Sequence, residues 1–160
     1  MGNWQQGVQS VAVGNNVGQT FQGVNCVAIG AGAGGNTQSV AIGFATAQYS
    51  QGGSAVAIGD QCGQTNQGAG SVAIGAVAGF YQQGAQSVAI GNSAGNYNQN
   101  ILGVAIGTNT GQNNQQSYAV ALGTGSGQNT QGMIHSIVLI SFFMYTLSLV
   151  IFFYKQNELV

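Results

Sequence analysis

The chain has 160 residues, 28 glycines, no proline and a formal net charge of −1, and only 2 % of its residues are charged where about 25 % is usual. The charges are Asp60, Lys155 and Glu158, so residues 1–132 hold no Lys or Arg. That excludes nucleic-acid binding and electrostatic capture of an anionic membrane, because both need cations to neutralise phosphates. No base, paired nucleophile or metal-ligand cluster is present either, so neither an enzyme nor a cofactor is expected.

At the N-terminus, Met1-Gly2 begins like an acylation signal, but Gln6 stands where that motif needs Ser or Thr. There is no charged n-region followed by an apolar stretch, so a cleavable signal peptide is not expected. From Val11 a four-residue core repeats: Val11-Ala12-Val13-Gly14, then VAIG starting at Val27, Val40, Val56, Val72, Val88 and Val104, then Val120-Ala121-Leu122-Gly123. Successive cores begin sixteen positions apart, except for the shorter interval of thirteen between Val27 and Val40. Residues 2–9 read as the second half of a preceding unit.

Aligned on the core, the rest of each unit is patterned too. The residue before the core is small (Ser10, Cys26, Ser39, Ala55, Ser71, Ser87, Gly103, Ala119), and another small residue follows the core glycine by three. Each unit then supplies a glutamine: Gln6, Gln22, Gln38, Gln51, Gln67, Gln83, Gln99, Gln115 and Gln131. The short unit, 26–38, is read as lacking three residues after its glutamine.

Val-Ala-Ile alternates as a short strand does, and the glycine ends it with a turn. The second half-unit predicts a second short strand. Sixteen residues are too few for a strand-plus-helix repeat, which takes about 20–29. The fold expected for residues 1–132 is therefore all-β, a parallel β-solenoid of about eight 16-residue coils. At ~4.8 Å per coil it forms a rod ~40 Å long. Stacking would set the nine glutamines in an amide ladder. It would also align Trp4, Tyr49, Tyr81 and Tyr97, two positions before the glutamine, as a stacking rib or an aromatic contact surface for a host-surface glycan or protein. Either the Val/Ile rows or the Ala row could face the coil interior. Both arrangements leave an outward apolar or smooth face, which predicts self-association.

These cores resemble the head repeats of YadA-type trimeric autotransporter adhesins, with SVAIG in full at Ser39–Gly43, Ser71–Gly75 and Ser87–Gly91. The resemblance spans about residues 2–132, and similar VAIG arrays occur in phage and large-DNA-virus proteins. It implies a left-handed parallel β-roll, a homotrimer and a role in adhesion. The signal peptide, coiled-coil stalk and β-barrel anchor of the bacterial adhesins have no counterpart here, which shifts the expectation toward a virion or other structural component.

Composition changes after Gly132. The stretch from Ile134 to Tyr154 carries no formal charge at neutral pH, His135 aside. As a helix it would rise about 31 Å and match a hydrocarbon core of about 30 Å. One C-terminal transmembrane α-helix is therefore expected in 133–154, with a polar tail at 155–160. Lys155 would place the tail inside and the solenoid at the cell or virion surface.

The remaining singular residues read as structural. His135 is expected at the membrane interface and Asp60 in a solvated turn. Cys26 and Cys62 lie in different columns about two coils apart, beyond the ~7 Å limit of a disulfide. The glycine-rich stretches 30–35 and 123–127 are turns of the repeat, without the helix N-terminus or lysine of a phosphate loop. The function expected is that of a membrane-anchored structural or adhesive protein, with a glycan- or matrix-protein-binding module as the alternative. An ice-binding surface is disfavoured, since Thr108-Asn109-Thr110 is the only Thr-x-Thr segment.

Overall fold

The computed structural model describes residues 7–17, 22–34, 38–131 and 137–139. Fourteen three-residue strands occur in chain order. They are β1 (Val11–Val13), β2 (Val27–Ile29), β3 (Val40–Ile42), β4 (Val56–Ile58), β5 (Thr65–Gln67), β6 (Val72–Ile74), β7 (Tyr81–Gln83), β8 (Val88–Ile90), β9 (Tyr97–Gln99), β10 (Val104–Ile106), β11 (Asn113–Gln115), β12 (Val120–Leu122), β13 (Asn129–Gln131) and β14 (Ile137–Leu139). One parallel sheet of nine strands runs β1-β2-β3-β4-β6-β8-β10-β12-β14, and a second of five runs β13-β11-β9-β7-β5. The eight repeat cores delimit about 7 turns of a parallel β-solenoid.

Register follows the repeat. Val56, Ala57 and Ile58 pair with Val72, Ala73 and Ile74, and the same Val-on-Val, Ala-on-Ala order holds in the neighbouring pairs. The short unit keeps it, with Val27, Ala28 and Ile29 opposite Val40, Ala41 and Ile42. Three residues have been lost without moving the core strand.

The alanines face inward. Ala28, Ala41, Ala57, Ala73, Ala89, Ala105 and Ala121 are fully buried, whereas the flanking Val and Ile are half-buried or exposed. The interior is thin and admits few branched side chains, Val17, Thr46 and Thr110 among them. Opposite the alanines stand small residues, among them Ala33, Cys62, Ala78, Ala94 and Thr110. A buried methyl contributes only about 0.8 kcal/mol, so the roll relies on hydrogen bonds between coils. Val56 N–H donates to Ser71 O at 2.9 Å, Thr65 N–H to Phe80 O at 3.0 Å and Gly68 N–H to Gln83 O at 2.7 Å. Each such bond is worth about 1 kcal/mol net, and the ladder repeats at every coil.

A unit this short closes into a coil because several of its residues turn in the left-handed region. In the coil that begins at Val88 these are Gly91 (φ 125°), Ser93 (54°), Gly95 (52°), Asn98 (54°) and Leu102 (57°). The core glycines also have no room for a side chain, because a Cβ on Gly43 would lie 2.2 Å from the carbonyl oxygen of Gly59. The VAIG signature thus follows from packing: branched residues outside, Ala inside, and Gly where one coil's backbone meets the next.

At the C-terminal end the structure departs from expectation. Ile137–Leu139, expected within a transmembrane helix, form β14 and pair with Val120, Ala121 and Leu122 of β12. This Ile-Val-Leu triplet has the β-branched, apolar character of the core strands and extends their ladder by one step. The rest of the expected 134–154 span lies outside the described residues. Among the described residues no helix is long and apolar enough to cross a membrane.

Candidate binding surface

Two outward faces remain once the interior is accounted for. The first is the nine-stranded sheet, whose Val and Ile rows lie side by side along the rod. Val11 and Val13 are exposed, Ile74 and Ile106 stay 37 % and 38 % accessible, and the others are half-buried. The adjoining corner adds Val8, Val24, Ile101 and Leu102, all exposed. This resolves which face of the core strand points inward, a point the sequence left open.

The second face belongs to the five-stranded sheet and the coil before it. Its strands bend sharply because their middle residues, Asn66, Gln82, Asn98 and Asn114, have φ of 54–56°. Asparagine tolerates that conformation better than most residues. The bend turns the glutamine that follows into the roll and leaves the two residues before it toward solvent.

Gln67, Gln83, Gln99 and Gln115 are consequently buried, and Gln22 and Gln51, outside that sheet, are buried as well. The amides act mainly as crossbars rather than as the expected ladder. The Nε2 of each donates to the carbonyl of the core valine eleven residues earlier, for example Gln67 to Val56 O at 2.8 Å and Gln115 to Val104 O at 2.7 Å. Most reach a second carbonyl as well, as Gln99 does at Gly103 O (3.1 Å). One ladder contact is present, from Gln99 Nε2 to Gln115 Oε1 at 3.1 Å. Among the described residues, the carbonyl ends of Gln67, Gln83 and Gln99 accept no hydrogen bond and abut the glycine four residues back. A Cβ on Gly79 would lie 2.7 Å from Gln83 Oε1.

Gln38 stands outside this row. It is exposed, has φ 57°, and its N–H bonds to Val24 O, the position that Gln86 and Leu102 hold in later coils. The three-residue loss therefore precedes Gln38 instead of following it, and Gln38 is not the crossbar of its coil. Gln6 lies outside the described residues, while Gln131 is described only through the pairing of its backbone with Gln115.

Of the aromatic row, Trp4 lies outside the described residues. Tyr49, Tyr81 and Tyr97 are exposed, Tyr49 the most at 69 %. Their backbones follow one continuous ladder through Thr65 and on to Asn113: Tyr49 N–H to Gln64 O, Thr65 N–H to Phe80 O, Tyr81 N–H to Asn96 O and Tyr97 N–H to Gln112 O. The rings of Tyr81 and Tyr97 are 6.4 Å apart and tilted by 44°, and Phe80 meets Tyr97 edge-on at 6.3 Å. Tyr49 stands two coils from Tyr81, with the shorter Thr65 between.

Amides continue the tyrosine column at Asn113 and Asn129 and flank it in two further rows that sequence reasoning did not single out. Asn98 donates to Asn114 at 3.0 Å, Asn113 to Asn129 at 3.1 Å and Gln128 to Gln112 at 3.1 Å, each one coil apart. The signal was present in the aligned units, in the Asn/Gln-rich columns on either side of the tyrosine column. Among the described residues Asp60 is the only charged side chain, and it sits in the turn after β4, off this sheet. No group of three or more metal-ligating side chains occurs among the described residues.

Cys26 and Cys62 are both buried, and neither forms a disulfide. Burial pushes the Cys62 thiol from its ordinary 9.0 up to about 12, against smaller opposing contributions from the backbone at Ile58 and Gly75. An inert structural thiol follows. Comparison of the chain with protein-family models, with curated protein sequences and with solved structures finds no match.

Proposed function

We propose that the chain is a structural and adhesive surface protein that assembles with copies of itself through the Val/Ile sheet. The observation that carries this reading is the outward apolar face, in register from β1 to β12 of the nine-stranded sheet. Completing the burial of a half-exposed Val or Ile returns about 1 kcal/mol. Two rows of such residues supply more than an association must recover in lost rotational and translational freedom. A closed ring hides the face on every copy. The resemblance of the SVAIG units to YadA-type head repeats selects three copies and a left-handed roll.

Sedimentation of the full chain in mild detergent tests this reading. The expected protein mass is about 48 kDa, three times the 16.1 kDa of one chain. Ile74→Lys and Ile106→Lys should dissociate it, and a wild-type monomer overturns the reading.

Attachment to a membrane at the cell or virion surface is the second part of the proposal, supported by the uncharged apolar stretch from Ile134 to Tyr154. β14 and a full span exclude one another. With β14 formed, Ile140–Tyr154 would rise about 22 Å as a helix, short of the ~30 Å hydrocarbon core. Membrane insertion would therefore peel β14 from β12. Alkaline carbonate extraction of cells expressing the chain decides this, with retention in the membrane pellet expected and release into the supernatant overturning the anchor.

A further inference from the structure

We infer that the face formed by Tyr49, Tyr81 and Tyr97 with their flanking amides binds an uncharged polysaccharide chain lying along the rod axis. This deepens the adhesive reading above and does not depend on the number of copies in the assembly.

Four observations carry it. The rings are exposed, and Tyr97 is braced from the preceding coil by Phe80, edge-on, and by Tyr81. An aromatic face, electron-rich at its centre, attracts the polarised C–H groups that line one side of a pyranose ring. The adjoining amides are already paired along the axis, Asn98 to Asn114 and Asn113 to Asn129. Each such pair uses one N–H and one carbonyl lone pair, which leaves further donors and acceptors for sugar hydroxyls, the buried Oδ1 of Asn98 excepted. Because the ladder holds these side chains before a ligand arrives, little ordering entropy remains to be lost on binding.

The third observation is electrostatic. None of the strands β5, β7, β9, β11 and β13 contains a charged residue, so nothing on this sheet favours a sulfated, uronic or phosphorylated polymer. The fourth is spacing. Coils repeat every ~4.8 Å, close to the advance per sugar of an extended pyranose chain. Successive sugars would thus meet equivalent side chains on successive coils, with Thr65 leaving a notch between Tyr49 and Tyr81.

The test is affinity electrophoresis of the full chain through gels containing one soluble neutral polysaccharide each: mixed-linkage β-glucan, xylan, galactomannan or dextran. Heparin and alginate serve as acidic comparisons. Retardation by at least one neutral polymer and by neither acidic one is expected. Tyr81→Ala and Tyr97→Ala should each weaken retardation at least tenfold with sedimentation and circular dichroism unchanged. Tyr97→Phe, which keeps the ring, should retain binding. So should Tyr118→Ala, since Tyr118 is an exposed tyrosine at another corner of the coil. Failure of every neutral polymer, equal retardation by heparin, or full binding by the Tyr81→Ala/Tyr97→Ala double variant overturns the inference. The assembly reading fails separately, by sedimentation.

Discussion

Replacing one buried crossbar by its acidic counterpart tests how the interior is held. In Gln83→Glu the side chain keeps its shape, but the Nε2 that donates to Val72 O at 2.8 Å becomes a carboxyl oxygen. A protonated carboxyl at this position can still donate to that carbonyl. An ionised one cannot, and it would face carbonyl oxygens inside a coil where Gln83 is only 2 % accessible. The folded state therefore holds the carboxyl neutral, above its unfolded value of about 4.3. A rise of about 3 units is ordinary for a buried carboxyl, and at about 1.4 kcal/mol per unit this amounts to about 4 kcal/mol. The sign follows from proton binding: the folded variant keeps its proton where the unfolded chain has lost it, so stability is full at low pH and falls as pH rises from about 4.3 to about 7.3. The wild type, with two acidic side chains and one histidine in 160 residues, supplies a nearly flat baseline over that range. Urea unfolding followed by circular dichroism, at fixed protein concentration and at several pH values, measures both. A variant whose midpoint tracks the wild type across the series would refute the crossbar role.

Three further outcomes follow from the same geometry and can be read by urea unfolding. Gly79→Ala should cost clearly more than Gly125→Ala. Both glycines have positive φ, but a Cβ at Gly79 meets Gln83 Oε1 at 2.7 Å and Ala73 Cβ at 3.3 Å, whereas at Gly125 nothing lies within 4 Å. Equal losses would mean that backbone conformation alone sets the cost. Val77→Asn should stabilise by about 1 kcal/mol, because Val77 is a β-branched residue held at φ 59° where other coils use Asn16 and Asn109; a loss of stability would contradict this. Cys62 should keep its proton in the folded state from pH 9.0 to about 12 while the unfolded chain ionises, so the protein loses stability as pH rises through that window. Cys62→Ala, with the residue that Ala78 and Ala94 place in the same column, should remove that alkaline sensitivity.

Much of the architecture was legible because the same residue types recur at the same places. The eight cores announce parallel strands in register, and the small columns announce a thin interior. What the pattern could not decide was direction. Alternation shows that Val and Ala face opposite ways, but not which of them is inside; that depends on the gap between the two layers of backbone, a tertiary quantity. The glutamine row was visible as a column, but not its inward turn, which in four coils comes with positive φ at Asn66, Gln82, Asn98 and Asn114. Spacing alone puts Gln38 in that column, eleven after Val27, whereas its hydrogen bond to Val24 O assigns it to the corner before β3. The C-terminal apolar stretch illustrates a similar ambiguity. Ile137-Val138-Leu139 suits a membrane helix by hydropathy and a core strand by shape, and composition does not distinguish them.

The short unit, which keeps β2 and β3 in register after losing three residues, shows what a coil can do without. A core strand with its first turn carries the stacking, while the second half-coil is where length can change. Gain or loss of a whole unit would alter the rod by one step of ~4.8 Å and leave every other coil's neighbours as they were. Copy number therefore works as a ruler. A lineage could set the length of this rod by duplicating or deleting one unit's codons at a time, with no new packing problem to solve.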